Sequence, residues 1–369
     1  MEEEFKKESD APIKVLEVVV VATVLVVGGL YYFYYQQSPI SNTPVDVNFK
    51  VVESLESFKN SNFDQAIKSA DEVLSQDPNN VSALLAKSAT LAQKGSLGFQ
   101  EEEYGTRAIQ TAEQVLKVDA DNAEAWRIIG YSHESMQEYT EAFDAYNKAI
   151  ELNPKNALAY SSRGHAYYLT GDHAKAKADY LKALSIDSSL THALVNLSRI
   201  LMSEEKYAEA TTNLNKALGL EDNLRFKAEI EQLIGVINVT QGKFTEAKVH
   251  FQNSLNHDAT LAASWVGLAN AKFLTLPKDL SGDQASIDAF SASVASIFSD
   301  LEKATKINPN QTSAYIITAR LLATLGSTEA ALGILNDALG VVDKDITLGA
   351  KEKVLVRQAI QDDIVFISN

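Results

Sequence analysis

Four alanines, Ala108, Ala142, Ala176 and Ala210, stand 34 residues apart, and their surroundings recur with them. Between Asp121 and Asp187 an aromatic (Trp126, then Tyr160), a glycine (Gly130, Gly164), an alanine (Ala142, Ala176), a tyrosine (Tyr146, Tyr180) and a second alanine (Ala149, Ala183) come round in the same order. Asn153-Pro154 separates the two copies. A single closed core has no reason to repeat itself at a fixed step. A stack of helix pairs does, because each pair buries its apolar face against the next. The step therefore sets the fold class as all-α, and it counts units better than length does. The 369 residues would otherwise suggest two or three ordinary domains.

Outward from this pair the pattern continues. A first unit occupies roughly 47–80, with turns at Asn62-Phe63-Asp64 and Asp77-Pro78. A second opens at Val81, its two helices separated by an insertion near 95–105. The fifth runs from Thr191 to Asp222 and the sixth from Ala228 to Ala259, displaced by three residues near Gly219 to Arg225. The seventh opens at Trp265 and is interrupted at 277–296, where a Ser-, Ala- and Asp-rich stretch is expected to extend the second helix backwards. The eighth spans Thr312 to Asp343. Residues 346–369 carry Ile360, Ile364 and Ile367 at helical spacing and read as a helix capping the last repeat.

The order aromatic, small, turn, Ala, aromatic, Ala, Pro resembles the tetratricopeptide repeat (TPR), over residues 47–345. The resemblance implies a right-handed superhelical solenoid of about eight helix-turn-helix repeats. Residues such as Gly130, Gly164 and Ala176 are then packing residues that let backbones approach. It also implies that the first helices of successive repeats line a concave groove for an extended or helical peptide. Carried onto this chain, the groove positions are Arg127, Tyr131 and Glu134, then Ser161, His165 and Tyr168, then His192, Asn196 and Arg199. This lining is mixed, aromatic and mildly basic, and Tyr and Arg are residues that dominate binding energies. The ordered Lys and Asn set with which some family members clamp a chaperone's C-terminal carboxylate is missing.

Ahead of the repeats lies a charged head, 1–14, and then an apolar run from Val15 to Leu30 closed by Tyr31-Tyr-Phe-Tyr-Tyr35. As a helix, residues 15–35 would extend about 31 Å, the thickness of a bilayer core. The aromatics suit an interfacial belt, and Glu17 falls near the opposite headgroups. Lys6, Lys7 and Lys14 precede this segment and no Lys or Arg follows before Lys50. The expectation is a single transmembrane signal-anchor with a cytoplasmic N-terminus and repeats on the periplasmic or extracellular side. A cleaved signal peptide fits less well, since no small-x-small site follows Leu30. The stretch Ile13-Lys-Val-Leu-Glu17 also resembles the start of a type IV pilin, although Pro12 departs from the residue expected before the cut. That gives the alternative of a pilin-like or envelope-fibre subunit with a TPR head. The polar segment 36–46, with Pro39 and Pro44, serves as a linker.

Composition narrows the function classes. A net charge of −16 argues against a nucleic-acid partner, which needs clustered Lys and Arg. The absence of cysteine removes disulfides, thiolate metal sites and a Cys nucleophile. No P-loop, Gly-x-Ser-x-Gly elbow, His-Glu-x-x-His pair or dinucleotide fingerprint occurs. The six histidines are scattered, His133 in an aromatic packing slot and His165 and His192 facing solvent or groove. No catalytic residue, cofactor, metal or small-molecule substrate is expected, and the carboxylates are read as solvated. What remains is a membrane-tethered scaffold or adaptor that binds protein or peptide partners, in envelope assembly or protein export.

Overall fold

The computed structural model describes residues 45–59, 62–98, 101–277 and 282–368. Within them are seventeen α-helices, one 3-10 turn and no strand. The helices form eight successive pairs: α1 (Val45–Lys59) with α2 (Phe63–Gln76), α3 (Val81–Ser96) with α4 (Glu101–Val118), α5 (Ala123–Ser135) with α6 (Tyr139–Leu152), and α7 (Ala157–Leu169) with α8 (His173–Ile186). The series continues with α9 (Thr191–Ser203), α10 (Tyr207–Leu220), α11 (Leu224–Thr240), α12 (Phe244–His257), α13 (Ala262–Leu274), α14 (Gln284–Ile307), α15 (Thr312–Thr324) and α16 (Thr328–Val341). A 3-10 turn at Val342–Lys344 leads to α17 (Ala350–Ser368). The apolar segment 15–35, the head before it and most of the linker lie outside the described residues. Among those described, no helix is long and apolar enough to cross a membrane.

The chain divides into two compact units, one ending at Ile200 and the other beginning at Leu201. In the first, the helix starts are set by local chemistry. Asn80, Asn122 and Asn156 each accept the backbone N–H three residues on, at 3.1, 3.0 and 3.1 Å, satisfying one of the N-terminal donors that a helix cannot pair internally. Between the helices of a pair the chain turns through a left-handed residue. Gly171, Gly242 and Gly326 hold this position at positive φ, but Gln137 (φ 62°) and Glu205 (φ 59°) hold it in two repeats, where a side chain is strained.

The core of each pair centres on one position of the second helix, four residues after a buried residue that is alanine in seven repeats and Ile297 in the other. Ala70, Ala112, Tyr146, Tyr180, Leu214, Phe251, Leu301 and Leu335 occupy it in turn, and none is more than 3% exposed. The two tyrosines lie against glycines: a Cβ on Gly130 would come within 2.7 Å of the Tyr146 ring, and one on Gly164 within 3.1 Å of the Tyr180 ring. The close approach leaves no room for a Cβ at Gly130 unless the Tyr146 ring shifts, and at Gly164 admits one only where the Tyr180 ring gives by a few tenths of an ångström.

The inserted residues lengthen second helices. The 95–105 insertion leaves α3 ending at Ser96 and gives α4 18 residues, against 14 in α6. In the second unit α14 reaches back to Gln284 and has 24 residues, capped by Asp283, which accepts from Ser286 N at 2.8 Å. Helix α17 buries Ile360 against α15 and α16, with Val356, Ile364 and Ile367 half-buried around it. Ion pairs Arg320–Asp363 at 2.9 Å and Arg357–Asp343 at 2.6 Å hold its flanks. The last repeat lacks a capping side chain at Gln311. Asp345 supplies it from further along the chain, accepting from Thr312 N at 2.8 Å.

Candidate groove in the first unit

Residues three and four apart share a helix face, so Arg127, Tyr131 and Glu134 lie on one side of α5, Ser161, His165 and Tyr168 on one side of α7, and His192, Asn196 and Arg199 on one side of α9. All belong to the first unit. Side-chain bonds tie the faces together. Tyr131 Oη donates to Ser96 Oγ at 2.8 Å and lies 3.3 Å from Gln93 Oε1, joining α5 to α3. His165 Nδ1 stands 2.6 Å from Glu134 Oε1, joining α7 to α5. The second oxygen of Glu134 accepts from Tyr146 Oη at 2.9 Å.

These bonds change what several expected groove residues can do. Glu134 is only 5% exposed, so it organises the wall of the groove rather than presenting a free acid. Burial, with the Glu134 charge next in weight, pushes the Tyr146 hydroxyl well above its ordinary value. It therefore stays protonated and serves as the donor. Tyr131 is raised as well, first by burial. Arg127 is largely buried and paired with Glu124, its Nε donating to Oε1 at 2.8 Å, so it contributes little free positive charge. Ser161, His165, Tyr168, Asn196 and Arg199 are half-buried, and His192 is exposed. The Tyr168 ring is tilted against His173, centroids 5.2 Å apart.

Treating all carboxylates as solvated misses five. Besides Glu134, the structure buries Asp179, Glu231, Asp300 and the capping Asp345. Asp179 takes two bonds from Arg163, at 2.7 and 2.8 Å, and the arginine also donates to Asn147 at 2.7 Å. Bonding to Asp179 raises the Arg163 guanidinium against the cost of its burial. In the second unit Glu231 meets His250 Nδ1 at 2.6 Å and Asn253 Nδ2 at 3.3 Å, while Asp300 pairs with Lys272. The His133 ring, in the aromatic slot, pairs with Glu138 at 2.7 Å. Among the described residues no group of three His, Asp or Glu side chains has the geometry of a metal site. The positions are fixed by packing, and the side chains left half-buried or exposed on α7 and α9 at these positions are polar and aromatic.

Comparison with known proteins bears on the repeats themselves. Residues 130–171 match a family model described as TPR repeat, and residues 157–190 and 191–224 each match one described as tetratricopeptide repeat. Among solved structures, the Cut9–Hcn1 hetero-tetramer of the APC/C is similar at 16% identity and a TM-score of 0.61, over 84% of this chain and 55% of that one. The chain thus spans about half the length of that relative, and at such identity the likeness is one of fold. The PilF protein of Pseudomonas aeruginosa is similar at 16% identity and a TM-score of 0.49, over 66% of this chain and 98% of its own. A search among curated proteins by sequence returns no significant match.

Proposed function

Residues 130–224 are tetratricopeptide repeats, and from that premise we propose that the chain is a non-enzymatic scaffold, tethered to a membrane through residues 15–35, that binds protein or peptide partners along the first helices of its repeats. TPR proteins in general bind such partners. The observation that carries the reading is the part-exposed face of α7 and α9: Ser161, His165 and Tyr168 lie along one side of α7 and His192, Asn196 and Arg199 along one side of α9, with His165 and Arg199 at the same repeat position, and all six keep part of their surface in water, while the opposite face of each helix is spent on packing. The tether rests on the apolar sequence of 15–35 and its lysine-flanked start. Its effect is avidity: a partner held at the same membrane meets the groove at high effective concentration, so a weak contact suffices. Envelope assembly or export is the setting this arrangement suits, with the N-terminus cytoplasmic and the repeats across the membrane.

The test is differential capture from native membranes after crosslinking, with the full chain as bait. His192→Ala with Ser161→Arg, which removes one contact and fills the groove, is expected to cut partner recovery several-fold. Deleting residues 1–44 is expected to move the repeats to the soluble fraction. Unchanged recovery with the groove filled would refute the groove, and a membrane-bound deletion would refute the tether.

A further inference from the structure

One position of the first unit carries a buried polar group that no described residue satisfies. The bounds of α5, α7 and α9 are displaced by a constant step, as are those of α6 and α8, so Glu134, Tyr146 and His165 correspond to Tyr168, Tyr180 and Arg199. The rings of Tyr146 and Tyr180 lie on Gly130 and Gly164 in the same way. In the first set Glu134 accepts from Tyr146 Oη at 2.9 Å and stands 2.6 Å from His165 Nδ1. In the second set no acid stands at the position of Glu134, because a tyrosine takes its place and turns its ring against His173, and the nearby charges of Glu134 and Asp179 act on Tyr180 without accepting from it. Tyr180 is 0% exposed, and its hydroxyl makes no hydrogen bond. Asn196 lies beside it without the geometry of one. Arg199 is half-buried, and no carboxylate among the described residues pairs with it.

A buried donor without an acceptor is rare in native proteins and calls for a partner. Here the chain itself shows which partner fits, since one repeat earlier the same tyrosine hydroxyl and a basic side chain are bridged by a carboxylate. We propose that a carboxylate of a bound peptide completes the position, entering between Tyr168, Asn196 and Arg199, accepting from Tyr180 Oη and pairing with the Arg199 guanidinium. The Tyr168 ring swings aside to admit it. This inference rests on the groove reading above and names the chemistry that the groove selects. A charge-assisted bond of this kind is about twice as strong as a neutral one, and an arginine fork matches a carboxylate in geometry.

Tyr168→Glu supplies the missing acid from within the chain, with Tyr168→Gln as its uncharged counterpart. In the full chain the Glu variant is expected to melt about 3 °C above the Gln variant. The gap should close when Arg199→Gln or Tyr180→Phe is added. Equal melting of the two variants, or a gap that survives both additions, overturns the site. Short arrayed peptides then separate the sources of the carboxylate: one set has an internal Glu and an amidated C-terminus, a second has Gln in its place, and a third has Gln with a free C-terminus. The wild-type chain should hold a carboxylate-bearing set about tenfold more tightly than the amidated Gln set, and Arg199→Gln should abolish the preference. Which of the two carboxylate sets is held identifies a side-chain or a terminal source. Peptides bound without preference overturn the carboxylate and leave the groove standing, whereas no peptide bound overturns both.

Discussion

The same substitution made at Tyr146 and Tyr180 should have opposite effects on stability. Both rings are fully buried and lie on a glycine of the preceding helix, so Tyr→Phe removes only an oxygen and leaves the packing unchanged. At Tyr146 that oxygen donates to the buried Glu134 carboxylate at 2.9 Å. A hydrogen bond to a charged group contributes about 1.5–3 kcal/mol. His165 remains as a second partner of Glu134, so the carboxylate is not wholly orphaned, and the expected loss is about 1.5–2 kcal/mol, the lower part of that range. At Tyr180 the oxygen has no partner. Deleting it relieves a desolvation cost of about 1–3 kcal/mol, part of which the folded chain recovers by relaxation, so a gain of about 0.5–1 kcal/mol is expected. The two variants should therefore differ by roughly 2–3 kcal/mol, or several degrees in melting temperature. A repeat array does not unfold in one step. The assay is accordingly thermal melting by circular dichroism combined with amide exchange over 139–152 and 173–186, which reads α6 and α8 separately. Equal losses at the two sites would show that ring packing alone sets their energy, and would refute the assignment of Tyr180 as an unmet donor.

Gln137→Gly and Glu205→Gly should each stabilise by about 0.5–1 kcal/mol, because both replace a left-handed side-chain residue with the glycine that three other repeats use there. A lower melting temperature for either would contradict this. Asp345 is held below the usual carboxylate range: burial alone would raise it, but the Thr347 hydroxyl and the N–H groups of Thr312 and Thr347 outweigh burial. Its folded value lies below its unfolded one, so its contribution is complete above the ordinary Asp range near pH 4 and is lost as pH falls through the folded value. Asp345→Asn should lower stability at pH 7 and flatten the acid limb of a melting-temperature profile between about pH 5 and pH 2. An acid limb identical to that of the wild type would overturn the assignment.

The repeat register was legible because its determinants are local. The asparagine caps, the turn residues and the small residues of each helix pair act over three or four positions, and they recur at a step that can be counted in the chain. The polar network was not. Glu134 and His165 are 31 residues apart, and a glutamate on an amphipathic helix is solvated by default. A signal for it did exist. Tyr146 occupies a position that is Ala, Leu or Phe in most other repeats, and a hydroxyl placed in a core demands a partner. Glu134, one helix back on the same pair, is the acid that can reach it. The same question asked of Tyr180 finds no acid at the matching place. The pairing of Arg127 was hidden for a related reason: it stands at a groove position of the repeat, but Glu124, three residues before it, takes the guanidinium. Asp345 was hidden because its role, capping α15, is performed from 33 residues further along the chain.

Regularity and recognition make opposite demands on an array of this kind. Identical neighbours stack well, because each repeat presents the surface that the next is shaped to receive. Identical neighbours also present the same groove at every step, and an extended ligand could slide between registers with no change in energy. Selection therefore requires that some groove position differ while the packing positions stay the same. The pairs α5–α6 and α7–α8 meet this requirement. Gly130 and Gly164, Ala142 and Ala176, Tyr146 and Tyr180 preserve the stacking, and all six sit within the core. Glu134 gives way to Tyr168, and His165 to Arg199, on the face that stacking leaves free. One repeat is thereby closed by its own carboxylate and the next is left one carboxylate short, which places a single preferred register in a groove whose backbone is otherwise periodic. If Tyr168→Glu closed the second repeat as Glu134 closes the first, the groove would lose that register while the stacking stayed intact. Loss of binding with a raised melting temperature is the combination that distinguishes a recognition site from a packing defect.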